Sequence, residues 1–406
     1  MTPEVKKRIE QIRQGIVPEG YVKDKDGIYP RDWASKKIGQ WLKLAERSIV
    51  LQDEEEYQLV TIRRGFGGVD SRGSFLGKNV LVKNYFIVKT GDFIISKRQI
   101  AHGACGIVPP ELDGAVVSNE YNVFLPQDGT NIQMFNLMMQ LPHYKRLFYL
   151  MSDGVHIEKL LFKTQDWMKR TLAMPLLKEQ KKIAEILSTQ DRAIELQGRK
   201  IDELKRFKKG CLEKMFPRKG QKVPEKRFPG FTDNWERRKL SELCAEFKSG
   251  DFISAEEIFL GGNYPVYGGN GLRGYTNRYN HDGDFALVGR QGALCGNMNY
   301  SSGKAYFTEH AIAVQANKTN DTRFLFYCFG NMNLGQFSGQ SAQPGLAVSK
   351  LIELTTFVPS KAEQEKISTA LTIIDHLITL HQRKLEEMKR QKKALMQLLL
   401  TGIVRV

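Results

Sequence analysis

The 406-residue chain carries a net charge of +16, from 61 Lys and Arg against 45 Asp and Glu, and a polyanion is the first partner such a charge suggests. No run of about eighteen apolar residues occurs, so no helix is expected to cross a membrane. Five scattered cysteines without a CxxC pair argue against a disulfide framework or a structural zinc. The opening MTPEVKKRIEQIRQG is charged and lacks the apolar core of a secretory signal, so the cytoplasm is the expected compartment.

In chain order, residues 1–32 read as a short helix followed by a connector rich in Pro and Gly. Residues 33–177 read as a first globular unit of mixed α/β type. Its expected strands lie at 57–63, 79–90, 92–96 and 115–125, where β-branched and aromatic residues stand between Gly, Asp and Asn breaks. A helix is expected at 131–150, with Ile132, Phe135, Met138 and Met139 on one face. Residues 178–217 form one long helix, with apolar residues at alternating four- and three-residue steps: Ile183, Leu187, Ile194, Ile201, Leu204. This is a coiled-coil seam, which needs a partner helix.

A linker (218–232) leads to a second unit at 233–360, built like the first. Gly91-Asp92-Phe93 returns as Gly283-Asp284-Phe285, and Lys97-Arg98-Gln99 as Gly289-Arg290-Gln291. Residues 361–406 contain the partner helix, with the seam Ile367, Leu371, Ile374, Ile378, Leu385. Glu179 recurs as Glu363, and at that offset about half the positions of the two helices are identical, more than a shared heptad explains. The N-terminal segment resembles the one preceding Trp235, so the chain starts inside a repeat boundary, as a circularly permuted duplication would.

The second unit connects the end of one helix to the start of the other. Domain termini usually lie close together, so the helices are expected to run antiparallel. The fold class is therefore α+β: two similar mixed α/β domains separated by a two-helix antiparallel coiled coil, an internal pseudo-two-fold repeat. A helix of ~38 residues is ~57 Å long, which would hold two DNA readers no more than ~17 base pairs apart. Gln197 and His381 lie midway along the two seams, where polar residues can set register, and are expected to meet.

Catalytic signatures are missing from the sequence. There is no GxxxxGK[ST], no HExxH and no Asn/Asp-Pro-Pro-aromatic segment, and Glu203-Leu204-Lys205 lies on the coiled coil, where it reads as a solvated helix surface. Binding chemistry is better represented. Loops combining Arg or Lys with Gln, Asn, Tyr and Gly suit base edges and phosphates. The candidates are Arg64, Arg72, Lys97, Arg98 and Gln99 in the first unit. In the second they are Tyr267, Asn270, Arg273, Arg290 and Gln291. The basic run 199–227 (Lys205, Arg206, Lys208, Lys209, Lys214, Arg218, Lys219, Lys222, Lys226) adds candidate phosphate contacts.

Three marks resemble the specificity subunit of type I restriction–modification enzymes. One is a twice-occurring Pro-(x)n-Glu-Gln-x-x-Ile-(x)n-Asp, at Glu179-Gln180, Ile183, Asp191 and at Glu363-Gln364, Ile367, Asp375. The others are Phe228-Pro-Gly-Phe-Thr-Asp-Asn-Trp235 and the closing Leu400-Thr-Gly-Ile-Val-Arg-Val. The resemblance implies two target recognition domains that each read half of a bipartite, asymmetric double-stranded DNA sequence, and helices that serve as ruler and dock. It implies two modification subunits that methylate adenine and two restriction subunits that cleave. The chain itself would hold no cofactor or metal, with S-adenosylmethionine, ATP and magnesium on the partners. Two rivals are a self-contained methyltransferase or nuclease, and a coiled-coil adaptor that binds DNA without reading it.

Overall fold

The computed structural model describes residues 2–24, 27–154, 156, 160–218, 220–292, 294–339 and 345–406. The chain divides into two compact units. One runs to Leu196 and takes in Leu385–Val406; the other is Gln197–Lys384. The division falls within the two long helices, Leu177–Met215 and Lys361–Leu400, so each unit owns one half of each.

In the first unit, a four-stranded antiparallel sheet has the spatial order Cys105–Ile107, Phe93–Ser96, Tyr121–Pro126, Leu42–Leu44. A second sheet of five strands contains one parallel pair, with Val116 beside Leu59. The helix Ile132–Met138 packs its buried Met134, Phe135 and Met138 into the core, with the fully buried Trp167 edge-on to Phe135.

The second unit repeats this plan. Its four-stranded sheet runs Met298–Ser302, Asp284–Gly289, Ala311–Ala316, Cys244–Ser249. A second sheet has three strands, again with one parallel pair, Val266 beside Tyr306. The helix Thr322–Asn331 occupies the place of Ile132–Met138, and both start at a side-chain cap, Asp321 and Asn131.

The strand registers correct one equivalence drawn from sequence. Ser96 lies opposite Tyr121, and Gly289 opposite Ala311. One residue on, the Lys97 amide donates to Glu120 O and the Arg290 amide to His310 O, both at 2.9 Å. Lys97 is therefore the counterpart of Arg290, and Arg98 that of Gln291; matching by residue type slips the alignment by one.

Other expectations also change. The segment 115–125 is two strands, Val116–Ser118 and Tyr121–Pro126, which belong to different sheets. The break is a turn in which the Ser118 hydroxyl accepts from the Glu120 amide. The expected helix 131–150 is two, Ile132–Met138 and Pro142–Leu150. Pro142 lacks an amide hydrogen and forces Leu141 into an extended conformation, so the first helix cannot run through it. The expected strand 79–90 shrinks to Asn84–Ile87, and the connector after the first helix contains a hairpin, Tyr21–Asp24 with Gly27–Pro30. Ile157, Glu158 and Lys159 lie outside the described residues.

Within each unit the two long helices are antiparallel. In the first, Asp191 pairs with Lys392 at 2.5 Å; in the second, Lys208 pairs with Asp375 at 2.6 Å. These are the same contact, reproduced by the duplication. Ile183 and Leu187 are fully buried in the first unit's core, beside Leu399 and Leu400. Ile367, Leu371, Ile374 and Ile378 are buried in the second. Ile201 is buried, while Ile194, Leu204 and Leu385 are half-buried. Gln197 and His381 meet as expected: Gln197 Nε2 donates to His381 Nδ1 at 2.8 Å and to His381 O at 2.9 Å. Their separation, 184 residues, is the offset of the repeat, so this is the point where the repeat meets its own image.

Candidate nucleic-acid interface

The physical role of the Glu-Gln motif is a joint between the long helix and the α/β domain beside it. Gln180 is fully buried. Its side chain accepts from the Asn131 amide and donates to Gly129 O and Pro175 O, at 2.8–2.9 Å. Gln364 does the same with the Asp321 amide, Asn320 Oδ1 and Pro359 O. Each glutamine thus ties the long helix to the residue that caps a domain helix.

The glutamates hold arginines that the sequence reading assigned no such role. Glu363, 1 % exposed, accepts from Arg227 at 2.7 and 2.8 Å. Glu179 accepts two bonds of 2.7 Å from Arg405, which also forks onto Asp32. Asp32 is held below the usual carboxylate range chiefly by its hydrogen bonds from Arg405, and the Arg405 guanidinium is pushed up by Glu179 first and Asp32 second. The available signal was positional: Arg227 follows the first long helix in the segment before the second unit, and Arg405 follows the second long helix.

A third joint belongs to the second unit. The Tyr327 hydroxyl donates to Asp375 at 2.8 Å, beside Lys208, whose ammonium also lies over the Tyr327 ring. Burial, and then the acceptor Asp375, push that hydroxyl's pKa up. Lys208 and Arg227 are therefore committed to structure rather than free for phosphate. Lys209 pairs with Glu213 and Arg218 with Glu225. Lys205, Arg206, Lys214, Lys222 and Lys226 are exposed, and Lys219 lies outside the described residues.

In the first unit the candidate residues converge. The hairpin Glu56–Ile62/Val69–Leu76 turns at Arg63 to Gly68, clamped by an Arg63–Asp70 pair. The turn docks on the 99–104 loop: the Gly65 amide donates to His102 O at 2.7 Å and the Phe66 amide to Gly103 O at 2.8 Å. Arg64 is thereby brought beside the loop of Lys97, Arg98 and Gln99. Arg64 and Arg98 are exposed; Arg98 is paired with Glu120 at 2.6 Å, and Lys97 is half-buried. Gln99 Oε1 is buried without a hydrogen-bond partner among the described residues. Arg72 is exposed on the returning strand; burial raises the Tyr121 hydroxyl, and the charge of Arg72 works against that rise.

In the second domain the hairpin Tyr264–Gly268/Gly271–Thr276 turns at Gly269 and Asn270. The turn lies directly on the segment 289–291: a Cβ on Gly289 would sit 2.3 Å from Gly269 O. Tyr267, Asn270, Arg273, Arg290 and Gln291 therefore share one region. Asn270, Arg273 and Gln291 are exposed, Arg290 and Tyr267 half-buried, with Tyr267 edge-on to Phe307. Thr308, Glu309 and His310 complete the cluster, with the Arg290 amide bonded to His310 O and Glu309 paired to His310 at 3.2 Å. His310, in the second copy of the loop, and Asn299, on the strand Met298–Ser302 with its Oδ1 against Gly271, are two further residues here that residue type alone did not single out.

Among the described residues no group of three His, Cys, Asp or Glu side chains is arranged to hold a metal ion, and no helix is long and apolar enough to cross a membrane. The clusters offer donors and acceptors on exposed turns, which is the chemistry of recognition.

A family model described as the type I restriction modification DNA specificity domain matches residues 30–206 and again 232–390. The chain is similar to the EcoprrI type I restriction enzyme specificity subunit of Escherichia coli, at 43 % identity over 149 residues. That match spans 35 % of this chain and 36 % of that protein. It is 23 % identical to the MjaVIII specificity subunit of Methanocaldococcus jannaschii over 93 % of this chain and 94 % of that one. In fold it is similar to the type I restriction–modification S subunit of M. genitalium, with a TM-score of 0.62 at 15 % identity, covering 90 % of this chain and 96 % of that one. Topology, duplication and both family matches agree: the chain belongs to the type I restriction–modification DNA specificity family, whose members are non-catalytic DNA-recognition subunits.

Proposed function

We propose that this specificity subunit reads a bipartite, asymmetric double-stranded DNA target, one half-site per recognition domain. The observation that carries the reading is one topology presented twice with different loops. The first domain offers Arg64, Arg72, Lys97, Arg98 and Gln99; the second offers Tyr267, Asn270, Arg273, Arg290 and Gln291. Similar scaffolds with different candidate residues suit two unlike half-sites. In this reading the long helices set the spacing between the half-sites, and each Glu-Gln joint ties a long helix to the domain beside it.

Two methyltransferase subunits dock on this frame and methylate adenine, and two restriction subunits join them for cleavage. S-adenosylmethionine, ATP and magnesium act on those partners, and the complex works in the cytoplasm. The net charge of +16 supplies the phosphate-directed part of the affinity.

The test is a map of N6-methyladenine in DNA modified by this chain with its methyltransferase partner. Two short unlike elements at one fixed spacing are expected. Methylation without a sequence preference would leave the chain a non-reading adaptor, and methylation by the chain alone would make it an enzyme.

A further inference from the structure

Asn270 is exposed at the tip of the second domain's hairpin and makes no hydrogen bond among the described residues. Three other amides of that unit are occupied. Asn280 bonds Asp251 and Phe307 O, Asn317 bonds Glu242 O, and Gln364 bonds Pro359 O. The tip is also built to hold its place. Gly271 has a φ of +99°, and a Cβ there would sit 2.9 Å from Asn299 Oδ1. A Cβ on Gly269 would come within 3.0 Å of His310 O. The turn is thus packed on the loops behind it while its one side chain faces outward.

An unpaired amide carries one acceptor and two donors on neighbouring atoms. In the major groove adenine shows an acceptor, N7, beside a donor, the N6 amino group; guanine shows two acceptors. A carboxamide can satisfy both adenine groups at once and only one of guanine's. We propose that Asn270 is a specificity-determining residue that reads an adenine in the half-site of the second domain. The inference rests on the bipartite reading above and adds the base and the residue.

Gln291, on the segment beneath the turn, is a second exposed amide in the same cluster. Arg273, also exposed on the returning strand, suits a neighbouring guanine or phosphate. The first domain's exposed candidates are arginines, so its half-site follows a different chemistry.

The experiment compares methylation maps made by the chain and by Asn270→Asp, each with the methyltransferase partner. Aspartate keeps the size of the side chain and loses the donors, so it faces adenine N7 with a second acceptor and favours the cytosine amino group. One adenine position in one half-site is expected to change, with preference for it falling by about tenfold or more. The other half-site and the spacing stay as they were. An unchanged map with Asn270→Asp overturns the inference while the bipartite reading stands. Absence of any bipartite map for the unaltered chain overturns that reading instead. Should Asn270→Asp abolish methylation, Asn270→Ser is used in binding competition among duplexes carrying each of the four bases at each half-site position. Relaxed preference at one adenine supports the inference; an equal loss for all four bases assigns Asn270 to holding the loop and overturns it.

Discussion

Arg227→Met isolates the worth of the joint that closes the second unit. The Arg227 side chain is 15 % exposed and its partner Glu363 1 % exposed. Arg227 donates to both Glu363 oxygens and to Asp233 O. Deleting it leaves a buried carboxylate without its counter-charge, which costs about 3–5 kcal/mol. Replacing both residues, Arg227→Met with Glu363→Met, removes that charge too and is expected to lie within about 1–2 kcal/mol of the original chain.

The twin joint supplies an internal control. Arg405 is 39 % exposed and Glu179 10 %, so water shares the load, and Arg405→Met is expected to cost about 1–3 kcal/mol. Hydrogen–deuterium exchange reads the two units separately. Arg227→Met should speed exchange within Gln197–Lys384, and Arg405→Met within the other unit. A double variant as unstable as Arg227→Met alone would refute the reasoning, because the penalty would then not come from the stranded carboxylate. So would a larger effect at Arg405 than at Arg227.

Gly289→Ala should disrupt the second recognition loop, since the new methyl would lie 2.3 Å from the backbone oxygen of Gly269. A loss of about 1–3 kcal/mol in thermal unfolding is expected, with weakened binding to one half-site only. Gln197→Ala leaves His381 Nδ1 and O without their donor and should cost about 1–3 kcal/mol. Replacing Gln197 and His381 together by leucine should cost less or stabilise, measured by the same melt. Acid unfolding is expected to depend on Asp32. Its carboxyl is lower in the folded chain than in the unfolded one, so its contribution is present above about pH 4 and is lost as pH falls through the folded value. Arg405→Met should flatten that part of the stability curve, read by unfolding between about pH 2 and 5.

The periodic parts of the fold are legible in the amino-acid sequence. The long helices show because a seam repeated at heptad spacing has few competing explanations, and the Gln197–His381 contact follows from the repeat alone. Short elements are harder. The stretch 115–125 is interrupted by Ser118-Asn119-Glu120, a polar break that the β-branched and aromatic residues on both sides outweigh, and that its two strands serve different sheets shows only in their pairing partners. Pro142 is a local signal that the apolar face of 131–150 outweighs. The arginines that hold the Glu-Gln motif have a positional signal in sequence, but their pairing does not show there because the partners lie far apart along the chain: Arg227 and Glu363 are 136 residues apart, Arg405 and Glu179 226. The candidate loops can be chosen by residue type, but their convergence, and the one-residue slip between Arg98 and Arg290, depend on strand register.

The central claim is that two unlike readers act together across a fixed spacing. It is tested most directly by measuring the affinity of this chain with its methyltransferase partner for four duplexes. These are the mapped target, the target with either half-site scrambled, and the target with the spacer lengthened by two base pairs. Tight binding to the first alone is expected, with losses of at least about 4 kcal/mol for scrambling either half-site. Equal affinity for all four duplexes, or full affinity with one half-site scrambled, would contradict it.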